Sequence, residues 1–189
     1  MQREIVRVLS RRAPTLAWPC AKCHRTGIFE CTELFRANAN GKLVDIWLIY
    51  RCRRCDDTKK LTVVERTPVR RLPAGLLDAA QGNDPVVARR FTRNLALIRT
   101  NGVAVAEGDD WECIGPAHPL LDRPGGVELA MEFPEPLLVR LDDLLAGALA
   151  VSRSRLRKLV ETGSVAVCNP GRLGALRLWS DTAVAIINS

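Results

Sequence analysis

The apolar positions along this chain change period part-way. A short alternation over Ile5 to Leu9 predicts one strand within a lead-in of residues 1–19. Ile28 to Arg36 and Lys42 to Arg51 also alternate, and the second run is rich in Val, Ile, Trp and Tyr, side chains that suit a half-buried pleated surface. Asn40-Gly41 lies between them and tolerates positive φ, so the pair predicts a β-hairpin. Leu61 to Glu65 would add a third strand to a small sheet.

Helical periodicity then takes over. Pro73 and Gly82 bracket a first helix. Asp84 is an N-cap with Pro85 at the first helical position, and Val87, Phe91, Leu95 and Ile98 form one apolar face of a helix that runs to Gly102. Arg89, Arg90 and Arg93 lie off that face and are expected in solvent. Residues 103–126 are irregular, ending in a turn at Asp122 to Gly126, and Val127 to Phe133 reads as a strand. Pro134 and Pro136 mark a boundary. Beyond it, Leu141, Leu144, Leu145 and Leu149 form a helical stripe. Ser152 caps a second helix that buries Leu156, Leu159 and Val160 and stops at Gly163. Ser164 to Cys168 alternates, Asn169-Pro170-Gly171 turns, and Ala183 to Ile187 closes the chain as a strand. The pattern predicts an α+β fold in three segments: 1–68 as an N-terminal β-hairpin module, 69–135 with the central helices, and 136–189 as a helix-turn-helix with strands.

Cysteine spacing adds chemistry to the first segment. Cys20-Ala-Lys-Cys23 precedes the hairpin and Cys52-Arg-Arg-Cys55 follows it. Two such pairs can surround one zinc ion tetrahedrally, each gripping it from a tight turn, so Cys20, Cys23, Cys52 and Cys55 are the expected ligands of a zinc ribbon. His24 is superfluous to a complete set of four. Cys31, Cys113 and Cys168 stand singly and are expected to be small buried hydrophobes. Seven cysteines, an odd number, fit a reducing compartment better than a disulfide framework.

Lys and Arg total 28 against 21 Asp and Glu, a net charge of +7 compatible with an anionic partner. The basic residues around the second cysteine pair, Arg51, Arg53 and Arg54 among them, could hold phosphates or simply keep a small module soluble. There is no apolar leader and no membrane-length apolar run, so the expected location is the cytoplasm. Phosphate-binding and nucleophile-elbow motifs are absent. His118, the only other histidine, stands alone between Ala117 and Pro119, and four Cys would leave a zinc ion no open position, so an enzyme is not expected.

Two resemblances bear on function. Arg140-Leu141-Asp142, Ser152-Arg153-Ser154 and Gly163-Ser164-Val165-Ala166-Val167-Cys168-Asn169 resemble the S-four RNA-binding domain, named for a small-subunit ribosomal protein. That likeness implies a basic helix pair contacting structured RNA, ribosomal or transfer RNA among the candidates, with Arg140, Arg153, Arg155 and Lys158 as the contacts. Phe35-Arg36-Ala37-Asn38-Ala39-Asn40-Gly41-Lys42, Asp45 to Cys52, Cys55 and Asn83-Asp84 resemble the bacterial domain of unknown function 1062, a family label that brings no activity. The sequence therefore supports a zinc-containing RNA-binding protein, or alternatively a protein-interaction or regulatory module built on a structural zinc ribbon.

Overall fold

The computed structural model describes residues 2–116, 120–121, 124–168, 173–179 and 183–187. His118, Asp122, Arg123 and the Asn169-Pro170-Gly171 turn lie outside the described residues. The fold is α+β, as expected. Its contacts divide the chain into two units, Ala13–Glu107 and Met1–Arg12 with Gly108–Ser189, where three consecutive segments were expected.

The unit formed by Ala13–Glu107 is built on five antiparallel strands: β1 (Gln2–Arg12) belongs to the other unit, so these are β2 (Thr15–Cys20), β3 (Arg25–Asn40), β4 (Leu43–Cys52), β5 (Thr58–Pro68) and β6 (Ala104–Glu107), in the order β5-β4-β3-β2-β6. Alternation in β4 decides which face is covered. Val44, Ile46, Leu48, Tyr50 and Cys52 are buried, and the residues between them are partly or fully exposed. Three helices, α1 (Leu76–Gln81), α2 (Pro85–Thr92) and α3 (Leu95–Thr100), pack on the buried face. Leu16, Phe29, Leu48, Tyr50 and Leu61 meet Ala88 and Ile98 there, and Val44 and Ile46 meet Leu76 and Ala80. The sheet is thus larger than the three-strand hairpin module expected, and it carries an apolar core of its own.

The predicted helix from Asp84 to Gly102 is two helices. Asp84 caps α2 as expected, its carboxylate accepting from the Val86 and Val87 amides. Asn94 then caps a new start, its Oδ1 accepting the Leu97 N–H at 3.0 Å. Periodicity could not reveal this break because Val87, Phe91, Leu95 and Ile98 all still face the sheet. The arginines expected in solvent are not all there: Arg93 is buried and Arg89 pairs with Glu33 at 2.9 Å. Glu33 sits at φ 59 where the β3–β4 register shifts. Just beyond it, the Phe35 N–H donates to Asn83 Oδ1 at 2.7 Å, so the α1–α2 connection clamps the bulge.

The second unit holds β1 (Gln2–Arg12), β7 (Asp110–Ile114), β8 (Val127–Glu132), β10 (Val165–Val167) and β12 (Ala183–Ile187) in the order β10-β12-β8-β1-β7. β1 is no lead-in: it is interior to the sheet, parallel to β8 and antiparallel to β7. A separate ribbon pairs β9 (Leu137–Arg140) with β11 (Leu176–Trp179). Helices α4 (Leu141–Ala148) and α5 (Arg153–Glu161) fall close to where their apolar stripes placed them, and Ser152 Oγ accepts the Arg155 N–H. Val6, Val8, Leu129, Met131, Leu144 and Leu156 share one core. The expected boundary at Pro134 and Pro136 falls inside this unit, because β8 and β9 contribute to the same core on either side of it. Buried Asp109 helps hold it together, its carboxylate accepting the Leu138 N–H at 2.6 Å and the Ser10 hydroxyl at 3.1 Å.

Candidate metal centre

The two Cys-x-x-Cys pairs lie in hairpin turns at one end of the five-stranded sheet. Cys20 ends β2 opposite Arg25 of β3, and Cys52 ends β4 before the turn into β5. β3 runs between β2 and β4, with Phe29 paired to Leu16 on one side and to Cys52 on the other. Strand pairing therefore delivers both turns to the same place.

The four sulfurs lie within 4.8 Å of one another, with Cys20–Cys55 at 3.4 Å and Cys23–Cys52 at 4.0 Å. Four sulfurs each about 2.3 Å from a zinc ion would be spaced by about 3.8 Å, the edge of the tetrahedron. A disulfide would need about 2.05 Å, and all four cysteines are free. The donor set and its spacing fit one tetrahedral metal ion.

The backbone makes both turns by the same device. His24 follows Cys23 at φ 52, and Asp56 follows Cys55 at φ 58. Each chain reverses through a left-handed residue after its second cysteine, and a non-glycine side chain there costs about 1–2 kcal/mol. His24 thus has a conformational part to play as the residue that closes the first turn. The second turn is fixed further by the Asp56 N–H donating to the Cys52 carbonyl at 3.1 Å and the Cys52 N–H donating to the Asp57 carbonyl at 2.8 Å.

Electrostatics distinguishes the thiols. Cys52 is pulled down to about 7, chiefly by the backbone N–H of Arg54. Cys23 is pushed up to about 12, chiefly by its hydrogen bond with the Cys55 thiol, and burial raises Cys20. Crowded thiols resist ionising together without a cation, so binding a metal there releases protons.

Two contributors escaped the sequence reading. A Cβ on Gly27 of β3 would lie 3.3 Å from Cys52 Sγ and 3.6 Å from Cys20 Cβ, so the glycine lets β3 pass beneath the cluster. Asp57 Oδ2 lies 3.7 Å from Cys20 Sγ. A lone glycine inside a strand was the one available signal for the first.

Of the remaining cysteines, Cys31 and Cys113 pack against the apolar cores as small hydrophobes, and Cys168 departs from expectation. Cys31 and Cys113 are half-buried, their thiols pushed by burial up to about 12 and about 11, but Cys168 is exposed. Of the arginines beside the second pair, Arg53 is held by Glu30 at 2.8 Å and Glu107 at 2.9 Å, whereas Arg51 and Arg54 are exposed and form no ion pair among the described residues.

The residues expected to touch RNA do not assemble into an open basic face. Arg140 forms a two-pronged bridge to Asp142, Nε–Oδ1 at 3.0 Å and Nη2–Oδ2 at 2.7 Å. Asp143 lies 3.6 Å from Arg140 and 3.2 Å from Arg153, linking the two. The Arg140 guanidinium holds the Asp142 carboxyl below the usual carboxylate range. Only Arg155 and Lys158 of the four stand exposed without an ion pair among the described residues.

A family comparison covers most of this architecture. The profile described as "Protein of unknown function (DUF1062)" matches residues 37–169. The chain belongs to the DUF1062 family. The matched span includes Cys52 and Cys55 of the cluster, while Cys20 and Cys23 precede it. In this DUF1062 protein two stretches that carry the likeness meet in space, because Asn83 bonds the Phe35 amide. Comparison with curated proteins and with solved structures returned no match. Among the described residues no helix is long and apolar enough to cross a membrane, which leaves β-barrel spans unaddressed.

Proposed function

We propose that this DUF1062 protein is a protein-interaction module stabilised by a structural zinc ribbon, working in a reducing cytoplasm and without catalytic activity. Four thiolates favour zinc among the common divalent metals and leave it no open position for a substrate. The observation that carries the choice of partner is the internal pairing of Arg140 and Arg153 with Asp142 and Asp143. An RNA-binding surface draws its affinity from cations that displace counterions, and guanidiniums already held by carboxylates contribute less of it.

Affinity capture of the tagged, zinc-loaded chain from lysate tests this, with and without nuclease. Protein partners retained after nuclease support the module. RNA enriched in the untreated sample, with partners lost on digestion, would restore the RNA reading, whose remaining support is the exposure of Arg155 and Lys158. Elemental analysis should give about one zinc per chain.

A further inference from the structure

The unit that contains α4 and α5 has a pocket of about 180 Å3 against α5. Its floor is apolar: Leu156 is buried, and Val160 and Leu173 are half-buried. Arg153 and Arg157 border it from successive turns of α5, and Arg140 forms part of its wall. The wall has a fixed shape. The Arg140 guanidinium is locked onto Asp142 and lies against Gly174, where a Cβ would come within 3.3 Å of Nη2.

We propose that this pocket anchors the C-terminal residue of a partner protein, with its side chain on Leu156, Val160 and Leu173 and its α-carboxylate between Arg153 and Arg157. The inference rests on the interaction-module reading above and names its recognition chemistry. Size sets the first limit, because small-molecule pockets usually run from about 300 Å3 upward and this one holds a single residue. Charge sets the second. Among the described residues three guanidiniums line the pocket with two carboxylates, and Asp142 is taken up by Arg140. Among the described residues Arg153 makes one ion pair, to Asp143, from a side chain 57% exposed, and Arg157 makes none. Arg157 can turn toward one incoming carboxylate, and Arg153, half-exposed, can share its guanidinium between that carboxylate and Asp143. An extended polyanion is a poorer fit, because Asp142, Asp143 and Glu161 interrupt the row of cations that a phosphate backbone would follow. An isolated carboxylate on an apolar stem avoids that repulsion and uses the floor as well.

The test is titration of the full zinc-loaded chain with N-acetyl-leucine, read by amide NMR shifts. Saturable shifts are expected over Arg153 to Glu161 and at Leu173 and Gly174, with N-acetyl-leucinamide binding far more weakly. Arg157→Gln should weaken N-acetyl-leucine by about tenfold, the loss of one charge-assisted hydrogen bond, with the remaining spectrum unchanged. Equal binding of the amide, absence of shifts at these residues, or stronger perturbation of them by oligouridylate would each overturn the proposal. The module reading is judged separately: if nuclease-resistant partners are still captured by Arg153→Gln/Arg157→Gln protein, the module stands and this pocket is not its anchor.

Discussion

Cys52→Ala separates a metal site from four thiols that merely pack together. Cys52 is almost fully buried, so losing its sulfur costs about 1 kcal/mol in packing alone, comparable with deleting a buried methyl group. If the four sulfurs hold zinc, the change also removes the linkage between binding and folding. At free zinc a thousandfold above its dissociation constant, that linkage is worth about 4 kcal/mol. The apolar cores beneath β3 and β4 draw mostly on side chains other than the four cysteines, so the metal-free state is expected to stay folded but less protected. Hydrogen exchange over β3 and β4 measures the difference directly. Wild-type protein should lose about a thousandfold in protection when zinc is chelated, as 1.4 kcal/mol corresponds to a factor of ten. Cys52→Ala protein should respond little to zinc or to chelator. Equal protection of the wild type with and without chelator, or a zinc response surviving in the variant, would refute the assignment.

Two further outcomes follow from geometry already described. His24→Gly and Asp56→Gly should retain zinc and change stability by no more than about 1 kcal/mol, because glycine relieves the left-handed backbone while adding chain entropy; a loss of zinc from His24→Gly, measured by elemental analysis, would make His24 a ligand after all. Asp142 has a lowered pKa in the folded state, so its stabilisation is complete above the usual carboxylate range and disappears as pH falls through the lowered value; Asp142→Asn should remove that part of the acid dependence of unfolding, followed by circular dichroism between pH 6 and pH 2, a window set around the ordinary carboxylate value of about 4.

The clustering of the four cysteines was legible because Cys-x-x-Cys spacing is a local constraint and the Asn40-Gly41 turn set the hairpin that joins the pairs. The caps at Asp84 and Ser152 were legible for the same reason: each is a short-range bond between a side chain and an amide two or three residues on. What escaped depends on partners distant in sequence. Nothing local marks β1 as the neighbour of β8, since their pairing joins Gln2 to Val127. The apolar stripes over Leu141–Leu149 and Leu156–Val160 located two helices, but nearby carboxylates decided how many of the expected contact cations remain available. Charge counted along a helix does not reveal which charges are already neutralised in space.

The placement of β1 also shapes how this protein comes off the ribosome. Residues of β1 are made before those of Ala13–Glu107, yet the strand they lie beside in parallel begins at Val127. Meanwhile Ala13–Glu107 is synthesised whole, and its first and last strands pair with each other, Thr15 opposite Glu107. That unit can close as an insertion while β1 waits, its Val6 and Val8 without a core and both its edges open to wrong pairings. Folding is therefore expected to be nested in sequence: Ala13–Glu107 can close while β1 waits for its parallel neighbour, which begins at Val127.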